Sequence, residues 1–250
     1  MMILKRVSEL RQRMEEHKID AFIIPRADEH QNEYLASSDE RVRYISGFTG
    51  SAATVIISKN KAALFTDGRY TIQAKRQLDE NIFHLCHSVE YPMSAWILKN
   101  LSDKITIGFD PKLHTAKQIE NLNKDLSSKN IIVTPSVNLV DLIWANQPPT
   151  PQKKVFIHHM KYSGESSSNK RSHIKKILKD NKIDAILISS PENLCWTFNL
   201  RGSDVPMTPI AFGYAIIDNK GNAKLFFHKN KLNRQVRTCL LYTSPSPRDS

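Results

Sequence analysis

The stretch "KIDAFIIP", residues 18–25, has the apolar run of a buried β-strand, and "KIDAILIS", residues 182–189, repeats it almost letter for letter. Each copy follows an amphipathic helical pattern. The similarity continues: "YISGFTGSAATVIIS" is echoed by "WTFNLRGSDVPMTPIAFGYAIID", and "KAALFTDG" by "NAKLFFHK". The offset of 164 residues is far longer than a solenoid repeat, so the pattern predicts duplication of a whole α/β domain. The alternative is a coincidence of common α/β patterns.

The boundaries of the two copies follow from composition. Alternating helices and strands fill residues 1–147, the Pro-rich "ANQPPTPQKK" predicts a linker at 148–155, and the pattern restarts over 156–237. The first copy ends near Trp144, so the same offset would carry the second to about residue 308. We therefore expect the second domain to be truncated.

The last residues, 238–250, change abruptly to Ser and Pro, and we expect no helix or strand there. One interpretation is a disordered native tail. The other, which we favour, is a non-native tail, because "CLLYTSPSPRDS" resembles translated adaptor sequence at the end of a gene fragment.

Composition narrows the class of protein. No apolar run approaches the ~20 residues of a membrane span, and the charged start is not signal-like, which favours a cytoplasmic protein without a membrane partner. Three cysteines, without metal-type spacing, fit a reducing compartment. Residues 1–150 hold 19 Lys and Arg against 18 Asp and Glu, whereas residues 151–237 hold 16 against 6. We interpret this basic excess as a solvated face or a contact with an acidic part, and we expect no nucleic-acid binding.

Several clusters of His, Cys, Asp and Glu side chains do not form a convincing metal or catalytic site. In "HLCH", His84 and Cys86 share one strand face while His87 points the other way, so the three do not converge on a metal. The adjacent His158 and His159 chelate poorly. A loop site from Asp28, His30 and Glu33 remains an alternative.

The position of Arg69, at the start of a predicted helix, is unusual for a cation. In "LFTDGRY" a strand runs into a helix, with Asp67 predicted as the N-cap and Arg69 in the first turn, where a cation opposes the helix dipole. Arg69 either pairs with a local carboxylate such as Asp67 or binds a ligand carboxylate or carbonyl with its planar fork.

A family resemblance rests on three stretches: "SDERVRYISGFTGSAATVIISKNKAALFTDGRYTIQAKRQLD", "NLVDLIWANQPP" and "WTFNLRGSDVPMTPIAFGYAII". Together they closely resemble the long, three-domain Xaa-Pro aminopeptidases, also called aminopeptidase P. The resemblance implies two creatinase-type N-terminal domains, each a mixed β-sheet flanked by helices, ahead of a catalytic domain that this chain lacks. Creatinase and prolidase carry one such domain, so the duplication favours the long aminopeptidase.

The resemblance also implies the chemistry. In that family the third domain holds two manganese ions, and a bridging hydroxide attacks the bond before proline. It therefore implies a peptide substrate with proline in second position, no catalytic or metal residue in this chain, and any homo-oligomer forming through the missing domain. Arg69 is implied to contact the bound peptide, whereas Asp141 and Trp144 complete the first domain. The alternative is a non-catalytic binding or assembly module.

Overall fold

The computed structural model describes residues 2–242, with side chains up to residue 238. The chain divides into two compact units, Met1–Pro149 and Thr150–Ser250. Among the described residues, none of the helices combines the length and the apolar character that crossing a membrane would require.

The first unit alternates helices and strands. Its elements are α1 (Met2–Glu16), β1 (Ala21–Pro25), α2 (Arg41–Ser46), β2 (Thr54–Ser58), β3 (Ala62–Thr66), α3 (Thr71–Gln77), β4 (His84–His87), α4 (Met93–Asn100), β5 (Thr106–Phe109), α5 (Ala116–Leu126) and β6 (Ile132–Pro135), with 3-10 turns at Ser37–Asp39, Pro111–Leu113 and Ser127–Lys129. The last three residues of the short helix α2 are the "YIS" that begins the repeated stretch "YISGFTGSAATVIIS". It ends at Ser46 and is capped by Gly47, whose φ of 81° is the left-handed conformation that glycine adopts easily.

The six strands of the first unit form one sheet in the order β4-β3-β2-β1-β5-β6. β2 runs antiparallel to β1 and β3, while the β3–β4, β1–β5 and β5–β6 pairs are parallel. This mixed sheet with helices on both faces confirms the predicted fold class. The carboxyl ends of β1, β3 and β5 therefore lie at one edge of the sheet, together with the start of β2.

The central strand β1 is buried on both faces, which explains its continuous apolar sequence. Phe22 and Ile24 pack with α1, α2 and α3 on one face. Ala21 and Ile23 alternate with them and pack with α4 and α5 on the other. Removing either helical layer would therefore expose half of the sheet.

The second unit repeats the first three strands. Its elements are β7 (Phe156–Ile157), α6 (Met160–Ser163), α7 (Ser167–Asp180), β8 (Ala185–Ile188), α8 (Pro191–Phe198), β9 (Leu200–Arg201), β10 (Tyr214–Asp218), β11 (Ala223–Phe226) and α9 (Arg234–Tyr242). The order β11-β10-β8 is all antiparallel and matches β3-β2-β1. Helix α9 continues to Tyr242, so the expectation that residues 238–250 contain no helix is wrong for residues 238–242. Residues 243–250 lie outside the described chain.

The two sheets also share a residue register. Ile23 pairs with Ile56 in the first unit, and Leu187 pairs with Ile216 at the equivalent place in the second. Burial differs sharply: Ile23 and Ile56 are 1% and 0% exposed, whereas Leu187 and Ile216 are 62% and 36% exposed. Within residues 2–242, β8 pairs with β10 and with no strand on its other side, the side on which β1 has β5. In the part of the chain that the structure describes, the second sheet thus has an open edge and an uncovered apolar face.

We expect the two units to behave differently when they are produced separately. Residues 1–149 should remain monomeric and unfold cooperatively, because both faces of their sheet are covered. Residues 150–250 should aggregate, because an open strand edge beside exposed apolar side chains pairs with other chains. Size-exclusion chromatography and thermal melts measure both properties, and sharp, reversible melts for both segments would contradict the expectation.

Candidate functional site

Arg69 lies in the turn between β3 and α3, at the carboxyl edge of the first sheet. The prediction that Asp67 caps the helix and that Arg69 lies in its first turn is wrong: α3 begins at Thr71, and its N-cap position is Tyr70, with no side-chain cap. The Asp67 carboxylate instead accepts a hydrogen bond from the Arg69 backbone N–H at 3.0 Å. This local Asx turn competes with helix formation and delays the helix by several residues.

The Arg69 guanidinium pairs with Asp67 through two hydrogen bonds. Nε donates to Oδ1 at 3.0 Å and Nη2 donates to Oδ2 at 2.8 Å. The hydrogen bond to Asp67 is the main cause that raises the pKa of Arg69, and it also lowers the pKa of Asp67. Of the two predicted explanations, the local pair is the one seen here. The Arg69 side chain is nevertheless 63% exposed, so it remains accessible to a further partner.

Tyr70 and Ser51 form the floor of the turn. The Tyr70 hydroxyl and the Ser51 hydroxyl are hydrogen-bonded at 2.7 Å, and the Arg69 guanidinium carbon lies 5.3 Å from the centre of the Tyr70 ring. The hydrogen bond to Ser51 lowers the pKa of Tyr70. A Cβ at Gly50 would come within 2.8 Å of the Tyr70 ring, so the glycine of "FTGS" is needed for this close approach.

Arg26 anchors the loops around this floor, and it was not among the residues predicted from the sequence. Its Nη1 donates to the backbone carbonyls of Glu33 at 2.7 Å and Ser51 at 3.0 Å, and its Nη2 donates to the Glu40 carboxylate at 3.2 Å. Only 7% of the Arg26 side chain is exposed. An arginine directly after a buried strand was the signal that could have identified it.

A second arginine network closes the first unit. Arg41 forms a two-point pair with Asp141, with Nε to Oδ1 at 2.7 Å and Nη2 to Oδ2 at 3.0 Å, and its Nη1 donates to Asp39 at 2.9 Å. Trp144 stacks on Tyr44 with ring centres 4.6 Å apart. These contacts agree with the structural roles expected for Asp141 and Trp144.

The alternative loop site of Asp28, His30 and Glu33 does not form a converging group of side chains. The buried Asp28 carboxylate accepts hydrogen bonds from the backbone N–H groups of His30 and Asn32, so it organises its own loop. Glu33 faces Ser51 instead, with its carboxylate 3.4 Å from the Ser51 hydroxyl. Glu33 therefore belongs to the surroundings of Arg69.

A metal site is not found in the part of the chain that the structure describes. There, no group of three or more His, Cys, Asp or Glu side chains could hold a metal ion. His158 stacks on Tyr162, and the buried Cys86 and Cys195 are free thiols; the side chain of Cys239 lies outside the described residues. The family resemblance places its metal pair in a further domain, and the residues described here supply no such group of ligands.

In the second unit, the motif "RGSDV" supplies a buried ion pair. Lys231 Nζ lies 2.6 Å from Asp204 Oδ2, and that same oxygen accepts from the Phe212 backbone N–H. Lys170 belongs to the basic excess that we interpreted as a solvated face or a contact with an acidic part. It is buried instead, and it donates to the Trp196 carbonyl and to Asn199. Part of the basic excess therefore stabilises the fold.

Comparison with protein families matches both units. The sequence profile described as "Creatinase/Prolidase N-terminal domain" matches residues 6–143, and a second profile of the same description matches residues 146–246. The two matches together cover nearly the whole chain.

Curated relatives and solved structures give a consistent similarity. The "Probable Xaa-Pro aminopeptidase P" of Aspergillus fumigatus is 42% identical over 236 residues, which are 93% of this chain and 36% of that protein. That of Penicillium rubens is 41% identical over 94% of this chain and 39% of its own length. The structure of the X-prolyl aminopeptidase from Caenorhabditis elegans, described as a cytosolic enzyme with a di-nuclear active site, has a TM-score of 0.91 and 30% identity over 98% of this chain and 42% of that one. The chain thus spans well under half the length of these relatives.

Proposed function

Because this chain belongs to the creatinase/prolidase N-terminal domain family through both of its units, we propose that it is the amino-terminal part of an Xaa-Pro aminopeptidase. The parent protein would release the first residue from peptides with proline in second position. The observation that carries the proposal is the similarity to such enzymes, sustained at 42% identity over 93% of the chain.

The proposed division of labour places the chemistry outside this chain. The parent's catalytic domain would hold two manganese ions, which supply the attacking hydroxide. Within this chain, the exposed guanidinium of Arg69 would bind the peptide, held in place by Asp67 and supported by Tyr70. We place the parent protein in the cytoplasm, in keeping with the cytosolic nematode relative.

We expect this chain to be inactive by itself. The test combines purified chain, manganese and an Xaa-Pro-Xaa tripeptide, and measures release of the free N-terminal amino acid. Because the hydroxide-generating metals find no ligands among the described residues, release should equal that of a buffer control. Metal-dependent turnover by this chain would contradict the proposed division.

A second candidate is a non-catalytic binding or assembly module, which the basic excess of the second unit favours. The two candidates differ in the rest of the gene. Reading the coding sequence beyond residue 237 should identify two aspartates, a histidine and two glutamates as spaced metal ligands if the parent is the peptidase. A downstream domain without these five ligands would favour the module.

A further inference from the structure

The pair between Asp67 and Arg69 determines which part of the guanidinium can meet a ligand. An arginine side chain offers five N–H groups in a planar fork. On one edge of that plane, the Asp67 carboxylate accepts hydrogen bonds from the Nε–H group and from one N–H of Nη2. The two N–H groups of Nη1 and the second one of Nη2 point away from Asp67, and among residues 2–242 no acceptor for Nη1 is found. This second edge is the part available for recognition.

The charge around that edge is not positive. Asp67 neutralises Arg69 directly, and Glu33 also acts electrostatically on Arg69. His87 also acts electrostatically on the Asp67 carboxylate. One cation, Arg69, faces two carboxylates, so this cluster carries no net positive charge whichever form His87 takes. A peptide carbonyl can accept hydrogen bonds there, whereas a free carboxylate is repelled by Asp67 and Glu33.

We propose that Asp67 is a specificity-determining residue, which makes Arg69 a binding site for an uncharged peptide carbonyl and not for a free carboxylate. The substrate class that follows is a peptide that continues beyond the residue after proline, or whose terminal carboxyl is blocked. This inference rests on the proposed function, because it describes how the parent peptidase would use Arg69.

The test uses the complete parent protein and two matched substrates: an Xaa-Pro-Xaa tripeptide with a free carboxylate and the same tripeptide amidated. The wild-type enzyme should use the two with kcat/KM values within about threefold, or prefer the amide. Asp67→Asn keeps the acceptor for the Arg69 backbone N–H but removes the charge, so it should raise the acid-to-amide ratio about tenfold. A purely structural role for Asp67 would lower both rates and leave the ratio unchanged.

Asp79→Asn is the matched control. The Asp79 carboxylate forms the same type of turn, accepting from the Asn81 backbone N–H at 3.0 Å, without an arginine on it. The acid-to-amide ratio should therefore not change in this variant. Turnover with an unchanged ratio in Asp67→Asn, or a wild-type preference for the free acid above about threefold, would overturn the inference while the proposed function stands. A folded, metal-loaded parent that cleaves neither tripeptide would overturn both.

A measurement on this chain alone tests the pair itself. The Arg69 Nε–H proton should exchange slowly in nuclear magnetic resonance spectra, since Asp67 accepts from it, and Asp67→Ala should make the exchange fast. Exchange in the wild-type chain as fast as in free arginine would remove the pair on which the inference depends.

Discussion

Replacing Arg41 with alanine is expected to lower the free energy of unfolding of the first unit by about 3 kcal/mol, the lower end of the range for removing one partner of a buried ion pair. Arg41 is 8% exposed and satisfies two carboxylates, Asp39 and Asp141. Its loss leaves both without their cation. Asp141 keeps a third of its side-chain surface exposed, and this limits the penalty.

The loss of unfolding free energy in Arg41→Ala should depend on pH. Burial raises the pKa of Asp39 above its ordinary value, although Arg41 opposes the shift. Without Arg41 the pKa of Asp39 should rise further, so protonation in the folded state relieves the unpaired charge as pH falls. The difference from wild type should be largest at neutral pH and should shrink towards acidic pH.

Urea denaturation of residues 1–149, followed by circular dichroism, measures this difference. Arg43→Ala is the matched control, because Arg43 lies on the same helix and is exposed. It should change the free energy by no more than about 0.5 kcal/mol. A loss below about 1 kcal/mol for Arg41→Ala would show that the buried network contributes little to stability.

If Arg69 binds the peptide as proposed, replacing it with alanine in the complete parent protein should lower kcat/KM about tenfold to a hundredfold, because a charge-assisted hydrogen bond would be lost. Arg69→Lys keeps the charge but loses the planar fork, so it should impair the enzyme less than alanine does. Metal content and melting temperature should stay near wild type, since Arg69 is mostly exposed.

Arg76→Ala is the control for this series, because Arg76 is an exposed arginine on the neighbouring helix α3. It should leave kcat/KM unchanged. Wild-type kinetics in Arg69→Ala would show that Arg69 has no role in catalysis beyond its ion pair with Asp67. A clear drop in melting temperature with normal kinetics would favour that structural role directly.

The repeat of residues 18–25 at 182–189 predicted the architecture well, because strands and duplicated domains can both be recognised from short stretches of sequence. β1 and β8 occur at the predicted offset of 164 residues, and their partner strands follow in the same order. The sequence could not reveal helix α2, since six residues form a stable helix only through tertiary contacts such as that of Arg41 with Asp141, 100 residues away.

The candidate site was predictable only in part. The motif drew attention to Arg69 and Asp67, and the possibility of their pairing was open from the sequence. The start of α3 was misplaced, because an aspartate before a helix can cap it or can form its own turn, and local sequence does not distinguish the two. The partners of Arg26 lie 7, 14 and 25 residues along the chain, so the sequence could mark the arginine itself but not the loops that it holds.

The most direct test of the central claim is product analysis with the complete, manganese-loaded parent protein. The substrates are an Xaa-Pro-Xaa tripeptide and the same peptide with alanine in place of proline, with chelator-treated protein as the control. We predict release of the free N-terminal amino acid from the proline peptide, loss of that release on chelation and its return with added manganese, and no release from the alanine peptide. A folded, metal-loaded protein that cleaves neither peptide, or both equally well, would contradict the assignment.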